Sequence, residues 1–148
     1  SLKIVNSALM VKSSEESLAT LDISVFDMYD GKTEFLKAGA VVSYIKKGNN
    51  VIKVDVPSLP IGILNETSFG KKIVDLEEDD WIIMVSDGMI SMGDKWLISK
   101  ISKLKDNDPK VFADELVNDA SKRRNGDRDD DITAIVMKVT TDFLSEAA

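Results

Sequence analysis

The sequence predicts an α+β fold, an antiparallel sheet structure covered by helices, and three patterns carry that prediction. Short runs alternate apolar and polar residues at a period of two, as half-buried strands require. Asp-Gly and Gly-Asn pairs separate some of these runs, and such residues tolerate the positive φ of tight turns. Apolar residues at helical spacing recur near the N-terminus and again between positions 95 and 120. With 148 residues, 43% of them hydrophobic, the chain is long enough to bury one substantial core, and residues 1–148 are expected to form one domain.

Taken in order, Leu2, Val5 and Leu9, with Ile4, Ala8 and Val11 beside them, predict a short amphipathic helix before the polar run Ser13–Glu16. From Leu18 to Met28, Leu21, Ile23 and Val25 alternate with Asp22 and Ser24, a half-buried strand. Asp30-Gly31 turns it back into Thr33–Ala38. A second hairpin joins Val41–Lys46 to Val51–Val54 across Gly48-Asn49-Asn50, and Pro57 and Pro60 end it. Lys71–Leu76 and Trp81–Ser86 are strands on either side of the acidic turn Glu77–Asp80. The second is apolar on both faces and so is expected at the centre of a sheet. Asp94 is the expected N-cap of a helix with Leu97, Ile98, Ile101 and Leu104 on one face. Asp108-Pro109 starts another, buried through Phe112, Leu116, Val117 and Ala120 and ending near Asn125-Gly126. The last strand is Ile132–Val139.

Composition excludes several functions. The 19 basic and 26 acidic residues leave a net charge of −7, which argues against nucleic acid, whose binding proteins neutralise phosphates with Lys and Arg. No apolar run approaches the roughly 18 residues of a membrane span, and the N-terminus lacks the order of a signal peptide. A soluble, cytoplasmic segment without membrane contact is expected. Zero Cys and zero His remove disulfides, thiolate zinc sites, cysteine phosphatase chemistry and Ser-His-Asp machinery. Any chemistry must come from carboxylates or a metal they hold. Oxygen donors suit Mg²⁺ and Mn²⁺.

Two places could carry it. Asp87-Gly88 follows the buried strand Trp81–Ser86 directly, which fixes a carboxylate at a strand end. Arg128-Asp129-Asp130-Asp131-Ile132-Thr133 opens the last strand with a carboxylate cluster. Taken singly, Ser-Asp-Gly is ordinary turn chemistry and an acidic run is ordinarily a solvated loop. If the two strands are neighbours, their acidic ends meet at one edge, and such clustering is repulsive unless a cation offsets it. Spacing alone leaves both readings open. Trp81 and Trp96 read as packing residues, Met84, Met89 and Met92 as gap fillers. Lys122-Arg123-Arg124 reads as a solvated helix end favoured by the helix dipole, with steering of a phosphorylated partner as the alternative.

Five ordered motifs then bear on the choice. Ser7–Glu16 with Ala19-Thr20-Leu21-Asp22, Phe35-Leu36-Lys37-Ala38-Gly39-Ala40, Leu59-Pro60-Ile61-Gly62-Ile63-Leu64, Val85-Ser86-Asp87-Gly88 and Asp130-Asp131-Ile132-Thr133 resemble the bacterial PP2C-type (PPM) phosphatases of the stage II sporulation protein E group. The resemblance covers nearly the whole chain. It implies a layered antiparallel β-sandwich flanked by helices, with a two-metal Mn²⁺ or Mg²⁺ site at its edge. Metal-activated water would then hydrolyse phosphoserine or phosphothreonine on a protein substrate. Carried over residue by residue, the family's Ser-Asp-Gly aspartate is Asp87 and its Asp-Asn-Ile/Met-Thr aspartate is Asp130, both as metal ligands and the catalytic pair. Asp131 stands where the family often has Asn, so Asp131 and Asp129 remain alternatives within the cluster.

One departure bears on activity. The family's domain begins with a strand whose Asp-Gly aspartate bridges both metals, and no counterpart precedes Ser7. Asp30-Gly31 lies after the match has begun and reads as a hairpin turn. The expectation is a fragment without the N-terminal strands, inactive alone and able to bind one ion weakly. The parent protein is expected to act on a small regulatory protein such as an anti-sigma factor antagonist, with a membrane anchor upstream. Exposed sheet edges make a homodimer an expectation to test. The contrasting function is a non-catalytic, phosphatase-like module that binds a partner. A Ca²⁺ domain ranks below both, because Asp127–Asp131 lacks the glycine and terminal Glu of an EF-hand loop.

Overall fold

The structure, a computed structural model, describes residues 2–11, 18–63, 69–105, 108–123 and 130–140. In chain order the elements are α1 (Leu2–Val11), β1 (Leu21–Phe26), β2 (Lys32–Ala38), β3 (Ser43–Lys47), β4 (Asn50–Val54), β5 (Gly70–Asp75), β6 (Trp81–Val85), α2 (Asp87–Ile90), α3 (Lys95–Ser102), α4 (Pro109–Arg123) and β7 (Ala134–Lys138). Both sheets are antiparallel, one ordered β1-β2-β5 and the other β4-β3-β6-β7. Antiparallel sheets with accompanying helices make this an α+β fold, as expected. The chain divides into two compact units, residues 1–40 with 55–75, and residues 41–54 with 76–148.

In the first unit, the β1–β2 hairpin turns where expected. Gly31 takes φ 71°, and Asp30 Oδ1 accepts the Lys32 backbone N–H at 2.9 Å. The face of β1 differs from the alternation read above. Asp22 pairs with Lys37 and Ser24 with Phe35, and both partners are fully buried. Asp22 and Ser24 therefore share the covered face, while Val25 on the other face is 55% exposed. The reason is electrostatic: a buried ammonium is costly unless a carboxylate accompanies it, and Lys37 Nζ meets Asp22 Oδ2 at 2.5 Å. The N-terminal helix differs in the same way. Val5 is exposed and Asn6 is buried, because the Asn6 side-chain carbonyl accepts the Gly62 N–H at 2.9 Å.

Three of the ordered motifs meet in this unit. Ala19 and Ile61 exchange backbone hydrogen bonds of 3.1 and 2.9 Å. Gly39, at φ 62°, lies so close to Pro60 that an added Cβ would stand 2.5 Å from the proline Cγ.

The second unit is built on β6, whose five residues are all buried. It is central, between β3 and β7. Tyr44, Trp81, Ile83, Leu97, Ile101, Phe112 and Leu116 form its core, and the Trp81 and Phe112 rings meet edge to face at 6.5 Å. The hairpin β3–β4 turns through Gly48 at φ 54°. Helix α4 starts as expected, with Asp108 Oδ1 accepting the N–H groups of Lys110 and Val111 at 2.8 and 3.1 Å; its expected end near Asn125-Gly126 lies outside the described residues. Lys100 ties α3 to α4 through Asp119 and Glu115 at 2.6 and 3.2 Å. Trp96 packs as expected, with the Arg123 guanidinium 4.9 Å over its ring.

Gly39→Ala tests the junction of the second and third motifs. It forces a left-handed alanine against Pro60, and a loss of about 1–3 kcal/mol in urea unfolding is expected. An unchanged midpoint would show that this approach is relaxed in solution.

Candidate metal-binding edge

The site is assembled by the pairing of β6 with β7. Their antiparallel register sets Val85 opposite Ala134, so the residues that follow β6 lie beside those that precede β7. Ser86 makes that neighbourhood specific. Its backbone N–H donates to the Thr133 carbonyl at 3.0 Å. Its hydroxyl donates to the Asp131 carbonyl at 2.9 Å and accepts the Thr133 N–H at 2.9 Å. A hydroxyl can do both at once, which an apolar residue of the same size cannot. Asp87 is thereby brought to the same sheet end as Asp130 and Asp131, and all three side chains are exposed.

Asp87 does not sit in a plain turn. It is the first residue of α2, a single helical turn held down by buried Gly88 and Met89. Its Oδ1 accepts the Gly88 N–H at 2.9 Å. Gly93, at φ 89°, then returns the chain toward α3, its N–H donating to the Ile90 carbonyl at 2.8 Å. Asp94 stands at the N-cap position but its side chain makes no cap hydrogen bond. Its Oδ2 instead accepts the hydroxyl of fully buried Tyr44 at 2.9 Å and pairs with Lys53 Nζ at 2.5 Å. A charged donor and a buried phenol outcompete the exposed helix N–H groups for this carboxylate. The hydrogen-bonded Lys53 ammonium holds the Asp94 carboxyl below the ordinary carboxylate range, burial pushes the other way, and the Tyr44 hydroxyl lowers it further.

The two ends of β6 differ in how their acids are satisfied. At the Trp81 end, Asp80 pairs with Lys47 at 2.8 Å and Asp79 with Lys138 at 2.9 Å. At the other end, Asp87, Asp130 and Asp131 pair with no cation among the described residues. Asp129, the further alternative, lies outside those residues. The donor set suits a hard divalent ion. Among the described residues, however, no three carboxylates converge closely enough to enclose one.

Over residues 1–140 the chain matches the family model of stage II sporulation protein E, SpoIIE. It belongs to that family. Stage II sporulation protein E of Bacillus subtilis (strain 168) is 37% identical over 144 residues, which are 93% of this chain and 17% of that protein. The protein of the same name from Priestia megaterium is 33% identical over 144 residues, 93% of this chain and 25% of that one. The SpoIIE-family chain thus spans a quarter or less of these curated relatives. Among solved structures, it resembles the PP2C phosphatase domain with a fragment of the regulatory domain of SpoIIE from Bacillus subtilis. That likeness has a TM-score of 0.82 at 36% identity and covers 94% of this chain and 44% of that one. The catalytic domain of the serine/threonine protein phosphatase PstP, in complex with two manganese ions, shares the fold at a TM-score of 0.75 and 12% identity, over 93% of this chain and 66% of that one.

Sequence reasoning named Asp87, Asp130 and Asp131, and the β6–β7 pairing puts them at one sheet end. It missed the work of Ser86 and Asp94. The first has a faint signal, a serine between a buried strand and the aspartate; the second has none, because Tyr44 and Lys53 are remote in sequence.

Ser86→Ala removes the latch and is expected to cost about 1 kcal/mol, with faster hydrogen exchange at the Thr133 amide. Unaltered Thr133 exchange would show that the strand ends hold without it. For Asp94, a carboxyl lowered in the folded state contributes stability that is complete above the ordinary carboxylate range and is lost as pH falls through the lowered value. Asp94→Asn should therefore flatten the acid limb of the stability–pH curve and leave its neutral-to-basic shape alone, as thermal melts across pH will show.

Proposed function

We propose that this SpoIIE-family domain is a metal-dependent protein serine/threonine phosphatase. Asp87 and Asp130 are its metal ligands and catalytic pair, and Asp131 is the alternative within the cluster. The observation that carries the reading is the Ser86 latch, which sets unpaired carboxylates from two strand ends at one edge of an α+β fold shared with PP2C phosphatase domains. The donor set points to Mn²⁺ or Mg²⁺. Such ions lower the pKa of bound water and neutralise charge on phosphoryl oxygens.

The residues of this chain would contribute as follows. Ser86 orients the strand ends, Asp87 and Asp130 offer carboxylate oxygens, and buried Gly88 and Met89 hold the Asp87 turn against the core. Two hard ions of six or more ligands each need more donors than these carboxylates offer. Water and substrate oxygens take further positions on such ions, but with no three carboxylates converging among the described residues the described part alone is expected to bind an ion weakly and to be inactive. The substrate is a phosphoserine or phosphothreonine protein, by family analogy an anti-sigma factor antagonist. We take residues 1–148 as one part of a larger phosphatase domain on the cytoplasmic side, with any membrane anchor elsewhere in the protein. Among the described residues no helix is long and apolar enough to cross a membrane.

A second reading, a phosphatase-like module that binds a partner without hydrolysis, draws on the lack of three converging carboxylates among the described residues. Mn²⁺-dependent hydrolysis of p-nitrophenyl phosphate by the full-length protein separates the two. Activity that requires Mn²⁺ and falls at least about 100-fold in Asp87→Asn is expected, beyond what loss of an outer-shell partner costs. A folded full-length protein without activity would favour the binding module.

A further inference from the structure

The segment that carries Asp87 is strung between two anchors, and only the first belongs to the strand pairing. At its near end, Ser86 is bonded to the backbone of Asp131 and Thr133. At its far end, Asp94 leaves its helix-capping duty and reaches the β3–β4 hairpin, where Tyr44 supplies a buried hydroxyl from β3 and Lys53 an ammonium from β4. Between the anchors lie one helical turn and a left-handed Gly93. Gly93 has nothing within 4 Å of where a Cβ would stand. The return at Gly93 is thus open on its Cβ side, closed by the Gly93 N–H bond to the Ile90 carbonyl, and the Asp94 clasp follows one residue later.

We propose that Asp94, with Tyr44 and Lys53, is a positioning residue for the metal-binding edge: it fastens the Asp87 turn to the β3–β4 hairpin and so sets where the Asp87 carboxylate stands relative to Asp130 and Asp131. The inference rests on the metal-site reading above. Tyr44 is a core residue with no side-chain exposure, so its hydroxyl is a fixed reference point. Lys53 is about half exposed and supplies charge rather than burial. Asp94 is seven positions beyond Asp87 in sequence, yet its carboxylate joins two strands that the Asp87 turn does not pair with. The clasp makes the hairpin part of the site's support, as outer-shell partners are for metal ligands elsewhere.

The test is Mn²⁺ binding by the full-length protein, followed through the electron paramagnetic resonance signal of free Mn²⁺, for wild type and for Asp94→Ala, Asp94→Asn, Tyr44→Phe and Asp87→Asn. Thermal melts of the same samples report folding. About tenfold weaker Mn²⁺ binding is expected in Asp94→Ala, the low end for lost outer-shell support. Asp94→Asn keeps an acceptor for Tyr44 and should recover part of the affinity, and Tyr44→Phe should shift it in the same direction as Asp94→Ala by less. In steady-state hydrolysis of p-nitrophenyl phosphate, the Mn²⁺ concentration for half-maximal rate should rise while KM at saturating Mn²⁺ stays put. If Asp87→Asn weakens Mn²⁺ binding but folded Asp94 and Tyr44 variants match wild type, the positioning role is wrong and the metal site stands. If Asp87→Asn itself binds Mn²⁺ as wild type does, the metal-site reading fails and takes this inference with it. Tyr44→Phe conserves shape and keeps the test decisive should Asp94→Ala not fold.

Discussion

The burial of β6 on both faces is the constraint from which the second unit follows. A strand of Trp, Ile, Ile, Met and Val cannot lie at an edge without exposing apolar area worth about 1.5–3 kcal/mol per large side chain. It must therefore have a neighbour on either side and a covering on either face. Strands β3 and β7 supply the neighbours, and the core that includes Leu97, Ile101, Phe112 and Leu116 supplies apolar packing for Trp81, Ile83 and Val85. Once β7 is fixed beside β6, the acidic residues before it are led to the sheet end at which Asp87 follows β6. That Asp130 and Asp131 share a sheet end with Asp87 follows from hydrophobic burial elsewhere in the strand.

What burial brings together, hydrogen bonding makes specific. The β6–β7 ladder runs from Trp81 opposite Lys138 to Val85 opposite Ala134, and without a further tie the chain ends beyond it would splay apart under carboxylate repulsion. Ser86 extends the contact one residue past the ladder through both its backbone and its hydroxyl. The acids at one end of β6 thus pair with lysines, whereas those at the other pair with no cation among the described residues.

In the first unit the organising feature is instead a buried charge. Fully buried Lys37 brings Asp22 with it, and this pair overrides the apolar face that Leu21, Ile23 and Val25 present in the sequence. Breaking one partner of such a pair leaves an uncompensated buried charge, so the register of β1 on β2 is held by electrostatics as well as by the hydrophobic pattern. Gly39 against Pro60 and Asn6 against Gly62 then join parts of this unit distant in the chain.

Local chemistry was enough to read most elements of this chain. Period-two alternation, Asp-Gly and Gly-Asn turns and the Asp108-Pro109 helix start act over a few residues, so their outcome is written in the adjacent sequence. The acidic candidates Asp87, Asp130 and Asp131 stood out locally because they flank strongly apolar strands, but their reading as metal ligands came from the family resemblance. Tertiary structure alone decided which face of β1 is covered, that Asn6 rather than Val5 is buried, and that Asp87 opens a helical turn. It also diverted Asp94 from its helix cap to Tyr44 and Lys53. In several of these cases a polar group found a stronger partner distant in sequence than its neighbours offered. Such partners meet only after the sheets have formed, and no local pattern records them.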